Sequence, residues 1–429
     1  MIARSPFSIL LLILIACGHP STSYEDPNRV SKVEVVQDGD TWKLMRNGSP
    51  YFIKGAGGGA TYLDQLKSSG GNSIRTWGVS VSILGAAHQK GLTVMMGISM
   101  PAERHGFDYS NATAVAALKS RIMEEVNQIK DHPALLLYGL GNELDLSYTN
   151  PIVWNVVNDI ALMIKAVDPN HPVTTVLAGI SATKIAAIME RAPDLDLLAI
   201  NSYGSLNSIP ANIRTYGWTK PYIITEWGPT GHWENGTTSW GAPVEQTSSE
   251  KAIVYQSRYE AVMKTDTDMN LGSYVFLWGQ KQERTPTWYG VFLENGHATE
   301  AVDVMQYNWT NSWPSNRAPQ VAQFRVEAKG PRDNIRVETG KLMTAQATFV
   351  DPDNDPITYR YELLPESTAT SEGGDAESRP QPIEGLFVSQ NGGQLMFNAP
   401  STSGNYRLFV YGTDGRTKSA TANIPFQVY

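Results

Sequence analysis

The chain has 429 residues, 41% of them hydrophobic, with 34 Lys and Arg against 42 Asp and Glu and a formal charge of −8. That length exceeds one ordinary domain and suits a barrel of about 250 residues with a smaller unit beside it. The acidic balance argues against a nucleic-acid partner and favours a neutral or weakly charged ligand, while a single cysteine excludes an intramolecular disulfide.

Residues 1–17 read as a signal peptide, with Arg4 in a positive leader and an almost wholly apolar stretch over 7–16. The run Leu14-Ile15-Ala16-Cys17 resembles the lipobox of bacterial lipoproteins. It implies cleavage before Cys17, a lipid on its thiol, and the membrane as a partner through that anchor. The expected location is the outer membrane, at the cell surface or the periplasmic face. An ordinary signal peptide with an incidental Cys17, or a buried apolar strand, is the alternative. Residues 18–30 are small and polar and read as a flexible tether. No stretch after residue 17 is apolar enough to span a membrane.

A hairpin is expected over 33–36 and 41–45, around a turn at Asp38-Gly39-Asp40. Apolar runs at 52–56, 72–77, 92–98, 134–141, 173–177, 197–203, 222–226 and 272–278 then read as strands. They mostly do not alternate, as expected when both faces of a parallel strand are covered. Between them, Leu118, Ile122, Val126 and Ile129 share one face of a helix that ends near His132-Pro133. Asn150-Pro151 reads as an N-cap with proline at the first helical position, followed by a stripe of Val153, Val157, Ile160, Ile164 and Val167. Strand–helix alternation repeated eight times predicts an α/β fold, a (β/α)8 TIM barrel over residues 31–315 including the N-terminal hairpin.

Residues 316–429 lose the helical pattern. Short runs at 345–350, 357–363, 395–397, 406–411 and 420–428, separated by turn residues, predict an all-β immunoglobulin-like sandwich. Residues 367–381 are polar and charged and read as a long mobile loop. All 11 tryptophans lie at or before Trp313, which argues for a spacer or buttress rather than a glycan-binding module.

Two apolar runs lead into glutamates: YGLGNE ends at Glu143 on the fourth strand, and YIITEWG carries Glu226 at the end of the seventh. Loops after the C-terminal ends of barrel strands hold the active site. Strands four and seven lie on opposite sides of such a barrel, so the two carboxyls can face one another across its mouth. Carboxyls about 5 Å apart are the equipment for cleaving a glycosidic bond with retention.

The strand ends Asn142-Glu143 and Glu226 resemble those of clan A glycoside hydrolases. The resemblance implies that Glu143 is the general acid/base, that Glu226 is the nucleophile, and that Asn142 contacts the 2-hydroxyl of the cleaved sugar. Such roles need Glu143 raised in pKa and Glu226 ionised. Arg75, in NSIRTW at the end of strand two, is placed to lie beside Glu226, the alternative being an ion pair in the barrel floor. Tyr203, in NSYG on strand six, is placed to donate to the same carboxylate, the alternative being core packing.

Aromatic residues crowd these loops, among them Trp77, Trp233, Trp278 and Trp288. The apolar face of a sugar stacks on such rings. Trp278 ends strand eight, where clan members often carry a platform beneath the cleaved sugar. His105 and His232 fall in the same loops and would meet sugar hydroxyls. No metal spacing is present, and the triple glycine at Gly57 lacks the lysine of a phosphate loop. Asp351, Asp353 and Asp355 suggest a calcium loop but lack its glycine and its last glutamate. No cofactor and a monomer are expected.

The opening YFIKGAGG and GGNSIRTWG resembles the catalytic barrel of glycoside hydrolase family 2, without that family's large N-terminal jelly-roll domain. A lipoprotein-type barrel with one C-terminal immunoglobulin-like domain more closely resembles glycoside hydrolase family 158. That resemblance implies a retaining endo-β-1,3-glucanase acting on laminarin-like polysaccharide or oligosaccharide. Open alternatives are a β-mannanase, a β-1,4-glucanase, a β-1,3-glucanosyltransferase, and a non-catalytic glycan-binding protein on a lipid anchor.

Overall fold

The computed structural model describes residues 29–429. The signal peptide, Cys17 and nearly all of the tether lie outside the described residues. The parallel strands Ile53–Gly57, Ser73–Arg75, Thr93–Ile98, Leu135–Leu140, Val173–Ala178, Leu198–Asn201, Tyr222–Trp227 and Asn270–Val275 close into a barrel in sequence order. Each apolar run forms its strand, as the sequence predicts. The eighth stops at Val275, however, three residues short of Trp278.

Helices cover the outside of the barrel. In Ala112–Ile129 the buried residues Val115, Leu118, Ile122, Val126 and Ile129 recur every three or four positions, and the Asn111 side chain caps the first turn. Helix Ile152–Val167 begins one residue later than the sequence suggests, with Pro151 as its cap residue, although Asn150 Oδ1 still accepts from Ile152 N. Its Val167 is exposed, so the stripe ends at Ile164. Ser248–Arg258 opens with a reciprocal capping box between Thr247 and Glu250.

The antiparallel ribbon Val33–Asp38 and Thr41–Arg46 plugs the barrel's N-terminal end. Val33 and Leu44 pack against Leu136, Ile223 and Leu271 inside it. Val33 N also donates to Asn170 O, and Trp42 N to Asp268 O. The opposite, C-terminal end stays open for chemistry.

The C-terminal part is a two-sheet β-sandwich. One sheet holds Gln320–Val326, Leu342–Val350, Gln394–Asn398 and Phe387–Asn391; the other holds Arg336–Val337, Ser419–Val428, Gly404–Thr413 and Thr358–Pro365. Leu342–Val350 alternates exposed and buried along its whole length, and Met343 and Phe349 meet Phe397, Val410 and Phe426 in the core. Asp351 Oδ1 accepts from the amides of Asp353 and Asp355, closing a turn ahead of the strand Thr358–Pro365.

The sandwich is seated on the barrel through buried polar groups. Asn423 Nδ2 donates to Glu245 Oε2 at 2.6 Å, and Arg407 Nη2 donates to Pro243 O at 2.7 Å. Residues 371–375, in the segment that the sequence marks as a mobile loop, lie against the barrel mouth instead.

Candidate active site

The open end of the barrel holds a cleft of about 1170 Å³. That exceeds the ~300–1000 Å³ usual for a drug-sized ligand and leaves room for a chain of several units. Glu143 and Glu226 both line it, with Asn142, Tyr203, Trp77, His105 and Trp233.

Glu226 is the penultimate residue of the seventh strand, and it lines the cleft. Its Oε1 accepts from Arg75 Nη1 at 2.8 Å and from Trp77 Nε1 at 3.0 Å, and its Oε2 from the Tyr203 hydroxyl at 3.2 Å. Burial and the nearby carboxylates push the Tyr203 hydroxyl far up, so it remains a donor. Arg75 is 1% exposed and donates through Nη2 to Asn142 Oδ1 at 2.7 Å, so one buried cation links both strand ends. Its alternative role as an ion pair in the barrel floor does not fit this position at the mouth.

Glu143 follows Gly141 in the turn after the fourth strand, and both have positive φ, 51° for Glu143 and 67° for Gly141. A left-handed conformation at a non-glycine residue is a cost that surrounding contacts must hold in place. Here Glu143 N donates to Val176 O at 2.9 Å. Its Oε1 accepts from Asn201 Nδ2 at 2.8 Å. Burial, reinforced by the charge of Glu226 and only partly offset by Asn201, pushes the Glu143 carboxyl up to about 7.

Two aromatic expectations need correction. Trp278 is 1% exposed and absent from the cleft; its Nε1 donates to Tyr62 O, and its ring packs on Phe292 and Trp309. Because the eighth strand ends at Val275, it is Phe276 that faces the cleft, edge-on to Trp77 and Tyr203. Trp288 is likewise sealed, donating to Thr230 O at 3.0 Å and bracing the loop after the seventh strand. Trp233, in contrast, is 60% exposed in the cleft with its edge on Tyr203.

His105 lies on the cleft rim, its Nε2 2.9 Å from Asp375 Oδ2. His232 is pushed down to about 4 by burial and by Arg284, so it is neutral at pH 7. The sequence reading passed over Asn201, whose Nδ2 serves Glu143 while its Oδ1 accepts from Thr225 Oγ1 at 2.9 Å. A polar residue ending an apolar strand was the available signal. It also passed over Arg104, Glu234 and the 371–375 wall. Among the described residues no group of three or more His, Cys, Asp or Glu is placed to hold a metal ion.

Residues 83–296 match the family model described as Glycosyl hydrolases family 2, TIM barrel domain. The barrel is thus a glycoside hydrolase barrel. Among solved structures, a β-glucuronidase of Bacteroides uniformis is 14% identical, with a TM-score of 0.51 over 92% of this chain and 48% of that one. A putative β-galactosidase of Bacteroides fragilis is 15% identical, with a TM-score of 0.51 over 93% of this chain and 57% of that one. A Bifidobacterium dentium β-glucuronidase is 17% identical, with a TM-score of 0.51 over 65% of this chain and 49% of that one. This chain spans about half the length of these proteins, and at such identities the likeness is one of fold. No curated protein matches the sequence.

Proposed function

We propose that this chain is a retaining β-glycoside hydrolase that cleaves β-1,3-glucan internally, with Glu226 as nucleophile and Glu143 as acid and then base. The observation that carries the reading is the asymmetry of the pair. Glu143 is a carboxyl raised to about 7 by burial, whereas Glu226 accepts hydrogen bonds from Arg75, Trp77 and Tyr203. Two carboxyls in opposed environments are how one site holds an acid beside an anion.

In the first step a Glu226 oxygen bonds to the anomeric carbon as the glycosidic C–O bond breaks, and the leaving oxygen takes the Glu143 proton. Oε2, with Tyr203 as its one donor among the described residues, is the less encumbered oxygen and the better placed to attack. In the second step Glu143 takes a proton from water, the water oxygen bonds to the anomeric carbon, and Glu226 leaves. Asn142, fixed by Arg75, is then the group offered to the sugar's 2-hydroxyl. The size of the cleft and the exposed ring of Trp233 support an oligosaccharide chain as substrate. The lipobox-like motif at Cys17 supports a lipid-anchored protein working on such a chain at the outer membrane.

One observation favours a second substrate class, a uronide. Arg104 lines the cleft and donates to the neutral carbonyl of Glu143 at 3.0 Å, with no carboxylate partner among the described residues. The test is hydrolysis of laminarin, mannan, cellulosic glucan and aryl β-glucoside, β-galactoside and β-glucuronide, with product sizing and proton NMR of the first anomer released. Internal cuts in laminarin giving the β-anomer are expected. Turnover of the glucuronide alone would replace the glucan assignment, and an α-anomer as first product would overturn the mechanism.

A further inference from the structure

The cleft is not built by the barrel alone. Residues 371–375, from the sandwich loop between Thr358–Pro365 and Phe387–Asn391, line the same cavity as Glu143 and Glu226. Consecutive glycines bring this loop close. Gly373 and Gly374 both have positive φ, and a Cβ on Gly373 would lie 2.7 Å from Arg104 Nη2 and 3.0 Å from Leu146 Cδ2.

The loop is tied to the barrel at several points. Arg284 N donates to Glu377 Oε2 at 2.6 Å, and Arg284 Nη2 donates to Ser371 O at 3.1 Å. Lys281 Nζ donates to Gly374 O, and His105 pairs with Asp375. Within the loop, Ser371 N donates to Glu377 Oε1 at 3.0 Å. The Glu245–Asn423 and Arg407–Pro243 bonds hold the sandwich that carries the loop.

One side chain on this wall is unspent. Glu372 is exposed, lines the cleft, and has no side-chain partner among the described residues. An unpaired carboxylate facing a glycan cleft from a held backbone accepts hydrogen bonds from sugar hydroxyls. We propose that the 371–375 segment is a substrate-binding wall, with Glu372 accepting from the hydroxyls of a sugar unit beyond the one cleaved. The sandwich then completes the site rather than spacing it from the membrane. This rests on the glycosidase reading for the identity of the ligand, but not on which linkage is cut.

The experiment compares Glu372→Ala, Gly373→Ala and the distant control Glu384→Ala in the full chain. The first readout is the ratio of kcat/KM for laminarihexaose, cellohexaose or mannohexaose to that for an aryl monosaccharide. A hydrogen bond to a charged group predicts a fall in that ratio of about tenfold for Glu372→Ala. Gly373→Ala, which strains a backbone at positive φ and crowds Arg104 and Leu146, is expected to lower the ratio as well, whereas Glu384→Ala keeps it.

The second readout is calorimetric binding of the same hexaoses in a Glu226→Gln background, which needs no turnover. Weaker binding with Glu372→Ala supports the wall even if hydrolysis fails, so the two readings fall separately. Equal losses on hexaose and aryl glycoside, an unchanged ratio, or no hexaose bound by the Glu226→Gln protein each overturn the proposal.

Discussion

Arg75 Nη1 donates to Glu226 Oε1 at 2.8 Å with both side chains nearly sealed, 2% and 9% exposed. A buried pair of this kind is costly to break, because removing one partner leaves an uncompensated charge. Arg75 also reaches Asn142 through its second nitrogen, a fork geometry that lysine lacks. Arg75→Lys is therefore expected to lower kcat on the order of 10²-fold, the usual loss for one aimed donor, with a smaller change in KM. Steady-state kinetics on one aryl glycoside checks this. An unchanged kcat would return Arg75 to a purely structural part.

The raised Glu143 carboxyl predicts a pH dependence in both activity and stability. As the acid it must be protonated, so kcat/KM should fall above about pH 7, and Glu143→Gln should lack that limb. For stability, the folded value lies above the ordinary 4.5. The folded state thus keeps a proton that the unfolded chain releases as pH rises from 4.5 to 7. Its contribution is fully present below about 4.5 and is lost as pH passes through 7. Glu143→Gln should accordingly gain on the wild type between pH 4 and pH 8, by on the order of 3 kcal/mol at most. Denaturant melts at the two pH values measure it, and a gain of opposite sign would contradict the burial argument.

Trp77 and Trp278 differ in kind, and substitution separates them. Trp77 donates to Glu226, so Trp77→Phe should lower kcat by about tenfold while the fold persists. Trp278 fills the space among Tyr62, Phe292 and Trp309, so Trp278→Ala should cost about 3–5 kcal/mol of stability. Thermal melts alongside kinetics distinguish the two patterns. A large kcat loss for Trp278→Phe at unchanged Tm would restore Trp278 to the site.

These residues also mark what sequence can carry. The glutamates were legible because strand ends in a parallel barrel fix position, and an apolar run announces its strand. The end of the eighth run was not, since apolar residues continue from Val275 through Trp278 after pairing has stopped. That run gives no sign that Phe276, rather than Trp278, meets the cleft. Trp288 looked like a binding residue because burial in a loop depends on tertiary packing, here on Thr230 and His232. The 371–375 wall touches residues more than 80 positions away, a relation that no local pattern encodes. Its charge and glycines spoke only of exposure.

The seam between barrel and sandwich supplies the last prediction. Glu245 is 4% exposed and accepts from Thr287 Oγ1 at 2.8 Å, Thr285 Oγ1 at 2.6 Å and Asn423 Nδ2 at 2.6 Å, with Lys251 as its ion partner. Arg407, 1% exposed, joins Asn423 to Glu366 and to the barrel carbonyl of Pro243. Groups this deep act as a unit, since each draws part of its hydrogen bonding from the others. Glu245→Ala leaves Lys251 a buried cation with only the Thr287 carbonyl as acceptor and Asn423 Nδ2 without its partner, and should cost about 3–5 kcal/mol. Because the bond from Asn423 crosses the seam, the loss should appear as coupling between the two parts. Calorimetry is expected to show one transition for the wild type and two for Glu245→Ala. A single transition at unchanged Tm in the variant would mean that the other contacts across the seam, the Arg407–Pro243 bond among them, hold the sandwich without Glu245.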